Sequence, residues 1–343
     1  MSMLKMSPAE RVKAVLAGGD FDVYPAINPT SVATIEVMEI VRSFFPSAHT
    51  NAMEMAVLAA AGHDVFGFDS VAPYFSVHLE AAALGAKVDW NDAAHTPVIV
   101  KKPVTRIDDF NIPQSFLHRT EFQRLIKACE ILKKKYSGRV LVIGKVVGPW
   151  TLAYNLYGVE NLVLDTVLEP EKTKKLIGEL AVIPIEFAKA QFDAGADMIT
   201  WADHVTSDLV SAKIYEEFLL PVHIKAAKIL QKGGPVILHI CGNVTDRLDC
   251  IARTGFTLFH MDSRNDIAAA VKQVGSSITI TGCVNNPVTL GQGTPAMVRE
   301  EVEANLRSGV RLISPECALP SSVPRENLKC LVKTAHSRQM GNR

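Results

Sequence analysis

The segment Val236-Ile237-Leu238-His239-Ile240-Cys241-Gly242-Asn243 sets an imidazole and a thiol two residues apart at the end of an apolar run. On an extended strand such residues project to the same side, so His239 and Cys241 point together near the strand's C-terminal end. A third soft donor, Cys317, lies in Ile313-Ser314-Pro315-Glu316-Cys317-Ala318, just beyond another apolar run. One imidazole and two thiolates suit Zn2+, and three protein ligands leave a fourth tetrahedral position open, as in catalytic rather than structural sites. Two thiolates cancel the ion's charge, so a substrate thiol taking that position would lose its proton near neutral pH and still remain nucleophilic. The chemistry this favours is thiol alkylation. His239 with Cys241 alone fits an ordinary core equally well, because cysteine is among the most buried residue types and strand histidines are often satisfied there. The donor after a second strand tips the reading towards metal. Cys129 and Cys330 fall in helical segments where packing accounts for them.

The elements that must bring these donors together are legible as a repeating pattern. A short apolar strand, a turn rich in Gly, Asp, Asn or Pro, and a longer segment of helical spacing recur along the chain. The expected strands are Val23 to Ile27, Val65 to Phe68, Val140 to Val147, Met198 to Ala202, Val236 to Cys241, Leu258 to Met261, Ile278 to Cys283 and Val310 to Ser314. Eight such units close most naturally into a barrel, although a doubly wound sheet also accommodates them. In a barrel, catalytic groups stand at the C-terminal ends of the strands, where the loops after the His239 strand and the last strand can converge.

Before the first strand, Ser7-Pro8-Ala9-Glu10 reads as a capping box opening a short helix to about Leu16, within an N-terminal addition over residues 1–20. Residues 70–137 form a long connection holding Pro97, Pro103 and Pro113 and an amphipathic helix from about Glu121 to Lys135. Elaborated connections of this kind shape binding pockets.

Composition narrows the functional classes. The chain has 343 residues, 48% hydrophobic and 21% charged, which suits one large globular domain spanning 1–343. Thirty-six Lys and Arg balance thirty-six Asp and Glu, so there is no basic excess to attract nucleic acid. No window approaches the roughly 18 apolar residues of a membrane span, and no signal peptide is evident. A cytoplasmic protein with six reduced cysteines is expected, and a homo-oligomer is left open.

The donor pattern, together with Gly148-Pro149-Trp150-Thr151-Leu152-Ala153 and Gly195-Ala196-Asp197, resembles the uroporphyrinogen decarboxylase superfamily, and within it the methylcobamide:coenzyme M methyltransferase branch. The resemblance runs from Ser7-Pro8-Ala9-Glu10-Arg11 to Pro324-Arg325-Glu326-Asn327-Leu328. It implies a (β/α)8 TIM barrel with N-terminal helices, and a zinc that activates the thiol of coenzyme M. That thiol takes a methyl group from a methylated corrinoid on a separate small corrinoid protein. Carried over by position, His239, Cys241 and Cys317 become zinc ligands, and Asp262 occupies the place of an acidic residue able to hold the fourth position. Asp203, after the fourth strand, is a candidate to orient His239 or to cap a helix. Asn285, Trp150 and Asn28 are candidates to line the corrinoid, Asn285 being equally suited to a turn. Lys145, inside the third strand, and Arg264 are candidates to pair with a substrate sulfonate.

The chain also departs from the pattern. Relatives often have Gly-Cys-Gly where this chain has Glu316-Cys317-Ala318, and the arginine-bearing loop of the decarboxylases reads Ala26-Ile27-Asn28-Pro29-Thr30 here. Phe68-Asp69 matches the decarboxylase aspartate, so a metal-free decarboxylase is a rival reading. Two others are transfer to tetrahydrofolate and a corrinoid- or metal-binding protein without turnover.

Overall fold

The computed structural model describes residues 5–339. Among the described residues nine strands form: β1 (Ser70–Val71), β2 (Lys87–Asp89), β3 (Val98–Lys101), β4 (Leu141–Val147), β5 (Met198–Ala202), β6 (Val236–Ile240), β7 (Leu258–Met261), β8 (Thr279–Val284) and β9 (Leu312–Pro315). Seven of them make one parallel sheet in the order β1-β4-β5-β6-β7-β8-β9, while β2 and β3 form a separate antiparallel ribbon. From β4 to β7 every strand residue is buried, as befits strands covered by side chains inside and helices outside.

Residues 25–27 close the sheet on itself. Ile27 N donates to Ile313 O (2.8 Å) and Ile313 N to Pro25 O (3.0 Å), while on the other side Asp69 N donates to Ala26 O (2.7 Å). The result is a (β/α)8 barrel. Its first strand is a single bridge, Ala26 to Ile313, rather than the expected five-residue run. The second expected strand is displaced: Val65 and Phe66 end the helix Ala52–Asp64, and pairing begins only at Ser70.

Because β1 is two residues long, the edge of β4 facing it outruns the ladder, and side chains satisfy the stranded backbone groups. Gln191 accepts from Lys145 N (2.9 Å) and donates to Lys145 O (3.0 Å), and Glu80 accepts from Val147 N (2.8 Å).

Helix Pro8–Leu16 opens with the expected capping box and seals the N-terminal end of the barrel. Its Ala9, Val12 and Val15 pack among the first inward residues of the strands, including Leu141, Ile237 and Leu312. Residues 1–4 of the expected N-terminal addition lie outside the described residues. The 70–137 connection holds helix Leu79–Ala83, the β2–β3 ribbon and helix Thr120–Tyr136. Among the described residues no helix is long and apolar enough to cross a membrane.

Candidate metal centre

His239 is the fourth residue of β6 and shares its inward face with Ile237, which lies in the sealed interior. Cys241 follows at once. Gly242 then turns the chain with φ +106°, where a side chain would meet Thr206 Oγ1 at 2.5 Å. Cys317 arrives from β9, two residues beyond Pro315. One donor atom from each of His239, Cys241 and Cys317 lies within 4.8 Å of the others, and Cys317 Sγ stands 3.4 Å from His239 Nε2. Tetrahedral zinc with ordinary bond lengths sets sulfur and nitrogen about 3.5 Å apart, so the donors fit the ion in kind and spacing.

The imidazole is aimed from behind. His239 Nδ1 meets the carbonyl of His260 at 3.2 Å; a carbonyl only accepts, so Nδ1 carries the proton and the Nε2 lone pair faces the sulfurs. The His260 ring lies against that of His239, tilted by 34° with centroids 4.6 Å apart, and donates from Nε2 to Pro315 O (2.7 Å), tying β7 to the approach to Cys317. Burial first, then the neighbouring His239, push its pKa down to about 3, so it stands there neutral.

The Cys317 loop is fastened by Glu316 and Asn286. Glu316 accepts from Ser263 N (3.0 Å) and Asn286 N (2.8 Å), joining the loops after β7, β8 and β9. Asn286 Nδ2 donates to Cys317 O (3.1 Å) and Ala318 O (3.0 Å). The sulfurs titrate as a pair. Cys317 ionises first, because the Cys241 thiol beside it and His239 favour its charge, and that charge holds the proton on Cys241.

Asp262 lies beside Cys241, with Oδ2 3.4 Å from the sulfur and 2.8 Å from Gly242 N. Burial alone would raise its pKa. The amides of Arg264 and Gly242 and the Arg264 guanidinium, 3.3 Å from Oδ2, bring it below the usual carboxylate range.

Residues 7–338 match the family described as Uroporphyrinogen decarboxylase (URO-D). The chain belongs to that family. It is 31% identical to a "Methylated-thiol--coenzyme M methyltransferase" of Methanosarcina mazei, covering 96% of this chain and 89% of that one. To a "Methylcobamide:CoM methyltransferase" of Methanosarcina acetivorans it is 33% identical, over 97% and 98% respectively. A solved methyltransferase from Methanosarcina mazei superposes with a TM-score of 0.92 at 26% identity, covering 97% of this chain and 99% of that one.

Other expected site residues of this URO-D family member have different places. Asp203 does not bond His239. It accepts from Thr151 N (2.8 Å) and Thr151 Oγ1 (3.0 Å) and faces His223 Nε2 (3.1 Å), so it caps helix Pro149–Tyr157. Trp150 is wholly buried in the apolar core and offers no surface to a corrinoid. Asn28 is 1% exposed and bonded to Ser70, whose Oγ donates to Asn28 Oδ1 at 2.5 Å. Asn285 takes the turn role, accepting from Val288 N (2.7 Å) and donating to Ser263 Oγ (2.9 Å).

Asp69, the residue behind the decarboxylase rival, lies at the sealed end of the barrel. Arg11 of the plug helix pairs with its Oδ1, and Oδ2 accepts from Ala26 N (2.8 Å) and lies 2.8 Å from His336 Nε2. A carboxylate so paired, with no exposed surface, faces no substrate. Sequence reasoning assigned no roles to His260 and Glu316, and read Asn286 with Asn285 as lining the corrinoid entry or making a turn, not as a fastener of the Cys317 loop. The usable signal was position: His260 precedes Asp262 by two on an inward-facing strand, and Glu316 adjoins Cys317.

Proposed function

We propose that this methyltransferase moves a methyl group from a methylated corrinoid, carried by a small partner protein, to a thiol such as coenzyme M, using zinc held by His239, Cys241 and Cys317. The observation that carries the reading is the convergence of one imidazole nitrogen and two sulfurs, from the ends of β6 and β9, within 4.8 Å. Two sequence relatives whose names specify coenzyme M, each matching almost the whole chain, support it. Zinc at these residues would supply a cationic position where an incoming thiol ionises near neutral pH.

The chain's own groups do the rest. His260 O fixes the His239 tautomer, so Nε2 is free to ligate. Glu316 and Asn286 hold the Cys317 loop against the strand ends, so the sulfurs meet without a loop closing. Asp262, held by Arg264 and Gly242 with Oδ2 3.4 Å from the Cys241 sulfur, would supply an acidic group beside the metal. In the transfer a sulfur–carbon bond forms and the cobalt–carbon bond breaks, its electron pair remaining on cobalt. The donor set of two thiolates favours a thiol over tetrahydrofolate as acceptor. The test is demethylation of methylcobalamin with coenzyme M, followed by the corrin spectrum, for wild type and Cys241→Ala. Turnover by wild type alone is the expected result, and equal rates would refute a catalytic role for Cys241.

A further inference from the structure

We propose that His204 is the base that takes the proton of the acceptor thiol as its sulfur settles beside Cys241 and Cys317. The inference rests on the thiol-acceptor reading above and deepens it by naming where the proton goes.

His204 stands at the rim between two anchored neighbours. Ala202 pairs with His239 across β5 and β6, and Asp203 N donates to His239 O (3.0 Å), so the chain leaving β5 runs alongside the donors at the end of β6. Asp203 then turns to cap helix Pro149–Tyr157, while Val205 is wholly buried with its carbonyl held by Arg247 (2.7 Å). His204 itself is tied through its backbone. Its N–H donates to Thr151 Oγ1 (2.7 Å), which donates in turn to Asp203 Oδ1 (3.0 Å). Behind them Asp203 Oδ2 faces His223 Nε2 (3.1 Å) and His223 Nδ1 faces Tyr215 OH (3.1 Å), all of them buried. This chain of bonds fixes the His204 backbone and leaves the imidazole uncommitted. Among the described residues its ring nitrogens have no hydrogen-bond partner, and the Tyr154 ring stands edge-on to it with centroids 6.3 Å apart.

Other groups near the sulfurs are spent as bases. Asp262 is held as an anion by Arg264 and Gly242 N, and Glu316 accepts from two amides. Burial pushes the Tyr154 hydroxyl up to about 12, so it keeps its own proton. His260 already donates to Pro315 O.

The charged groups facing His204 are His239, Cys317, Asp203 and Arg264. Burial first, then His239, holds its pKa below the ordinary histidine value, so near neutral pH the ring is uncharged and one nitrogen has a free lone pair. A sulfur anion formed beside it raises that pKa, which keeps the proton there. In the step the sulfur–hydrogen bond breaks, both electrons stay on sulfur and the proton passes to the imidazole. Methylation then removes the sulfur's charge, and His204 returns the proton to water.

The test counts protons. Coenzyme M binding to the full-length zinc-loaded protein is followed by calorimetry in two buffers of different ionisation heat, for wild type, His204→Gln and His204→Asn, with zinc content and Tm measured alongside. An ordinary thiol titrates at about 8.5, so at about pH 7 wild type should release well under half a proton per thiol and each variant about one. By linkage, wild-type affinity should be nearly level from about pH 6.5 to 7.5, whereas that of the variants should rise about tenfold per pH unit. Below about pH 6.5 His204 is charged beforehand, and wild type should acquire the same slope. Release of a full proton by wild type overturns the proposal without any variant, and so does a wild-type count in folded, zinc-loaded His204→Gln or His204→Asn. Zinc retained by wild type with no binding of any thiol would refute the thiol-acceptor reading itself, and the proposal with it.

Discussion

Glu316→Gln isolates the clamp that holds Cys317 in place. The carboxylate is 6% exposed and accepts from two backbone amides, Ser263 N and Asn286 N, on two different loops. Glutamine is the same size but accepts through one oxygen only, so its amide nitrogen must face one of those N–H groups. A buried hydrogen bond to a charged group contributes about 1.5–3 kcal/mol. Part of this is offset, because burial and the Asp262 charge already hold the Glu316 pKa above the usual carboxylate range. A net loss of about 1.5 kcal/mol at the loop corresponds to roughly tenfold in zinc affinity, within the range seen when groups supporting metal ligands are removed. The assay is competition with a chromophoric zinc chelator, with the exposed Glu217→Gln as control. The expected result is about tenfold weaker zinc binding in Glu316→Gln alone, with the barrel still folded, since the sealed core does not involve this residue. Wild-type zinc affinity in Glu316→Gln would refute the clamp.

Two further perturbations have definite expected outcomes. Burial raises the Glu80 pKa from 4.5 to about 7, so its contribution to stability is fully present below about 4.5 and lost as pH rises through about 7. That span amounts to at most about 3 kcal/mol; Glu80→Gln, which mimics the protonated acid, should gain on wild type by up to that amount over the interval in urea unfolding, and parallel pH profiles would contradict it. Asp69→Asn removes one of the two carboxylates that Arg11 pairs with, Asp22 remaining 2.7 Å from its Nε, and should cost about 1.5–3 kcal/mol, seen as a lower Tm, while folded protein still transfers methyl groups. A stable Asp69→Asn protein without turnover would instead place Asp69 in the chemistry.

Much of this arrangement could be read before any coordinates. Strands β4 to β7 are buried along their whole length and therefore appear in the sequence as largely apolar runs, and the His-x-Cys pair at the end of β6 inherits its geometry from strand alternation. The first strand was drawn too long and the second misplaced, because closure there relies on a few backbone bonds of Pro25, Ala26 and Asp69, with the polar Asp69 and Ser70 where an apolar run was sought. Asn28 and Trp150 illustrate the opposite error. Asn28 follows the first strand and Trp150 is the second residue of helix Pro149–Tyr157, just past β4; both lie where barrel chemistry resides, yet close packing buries them, and depth leaves no mark on a single sequence. Of the two roles read for Asp203, the helix cap is the one its contacts match: Thr151 comes from the first turn of helix Pro149–Tyr157 and His223 from a later helix, partners that no spacing rule anticipates. Lys145 was singled out in the sequence, but its companions Tyr74 and Glu80 were not, since about seventy residues separate them from the strand.

The most direct measurement is zinc content per chain by elemental analysis, for wild type and Cys317→Ala purified side by side from zinc-supplemented cultures. About one zinc per wild-type chain and little in Cys317→Ala is the expected result. A wild-type chain without zinc, or Cys317→Ala protein retaining a full equivalent, would contradict a metal held jointly from β6 and β9.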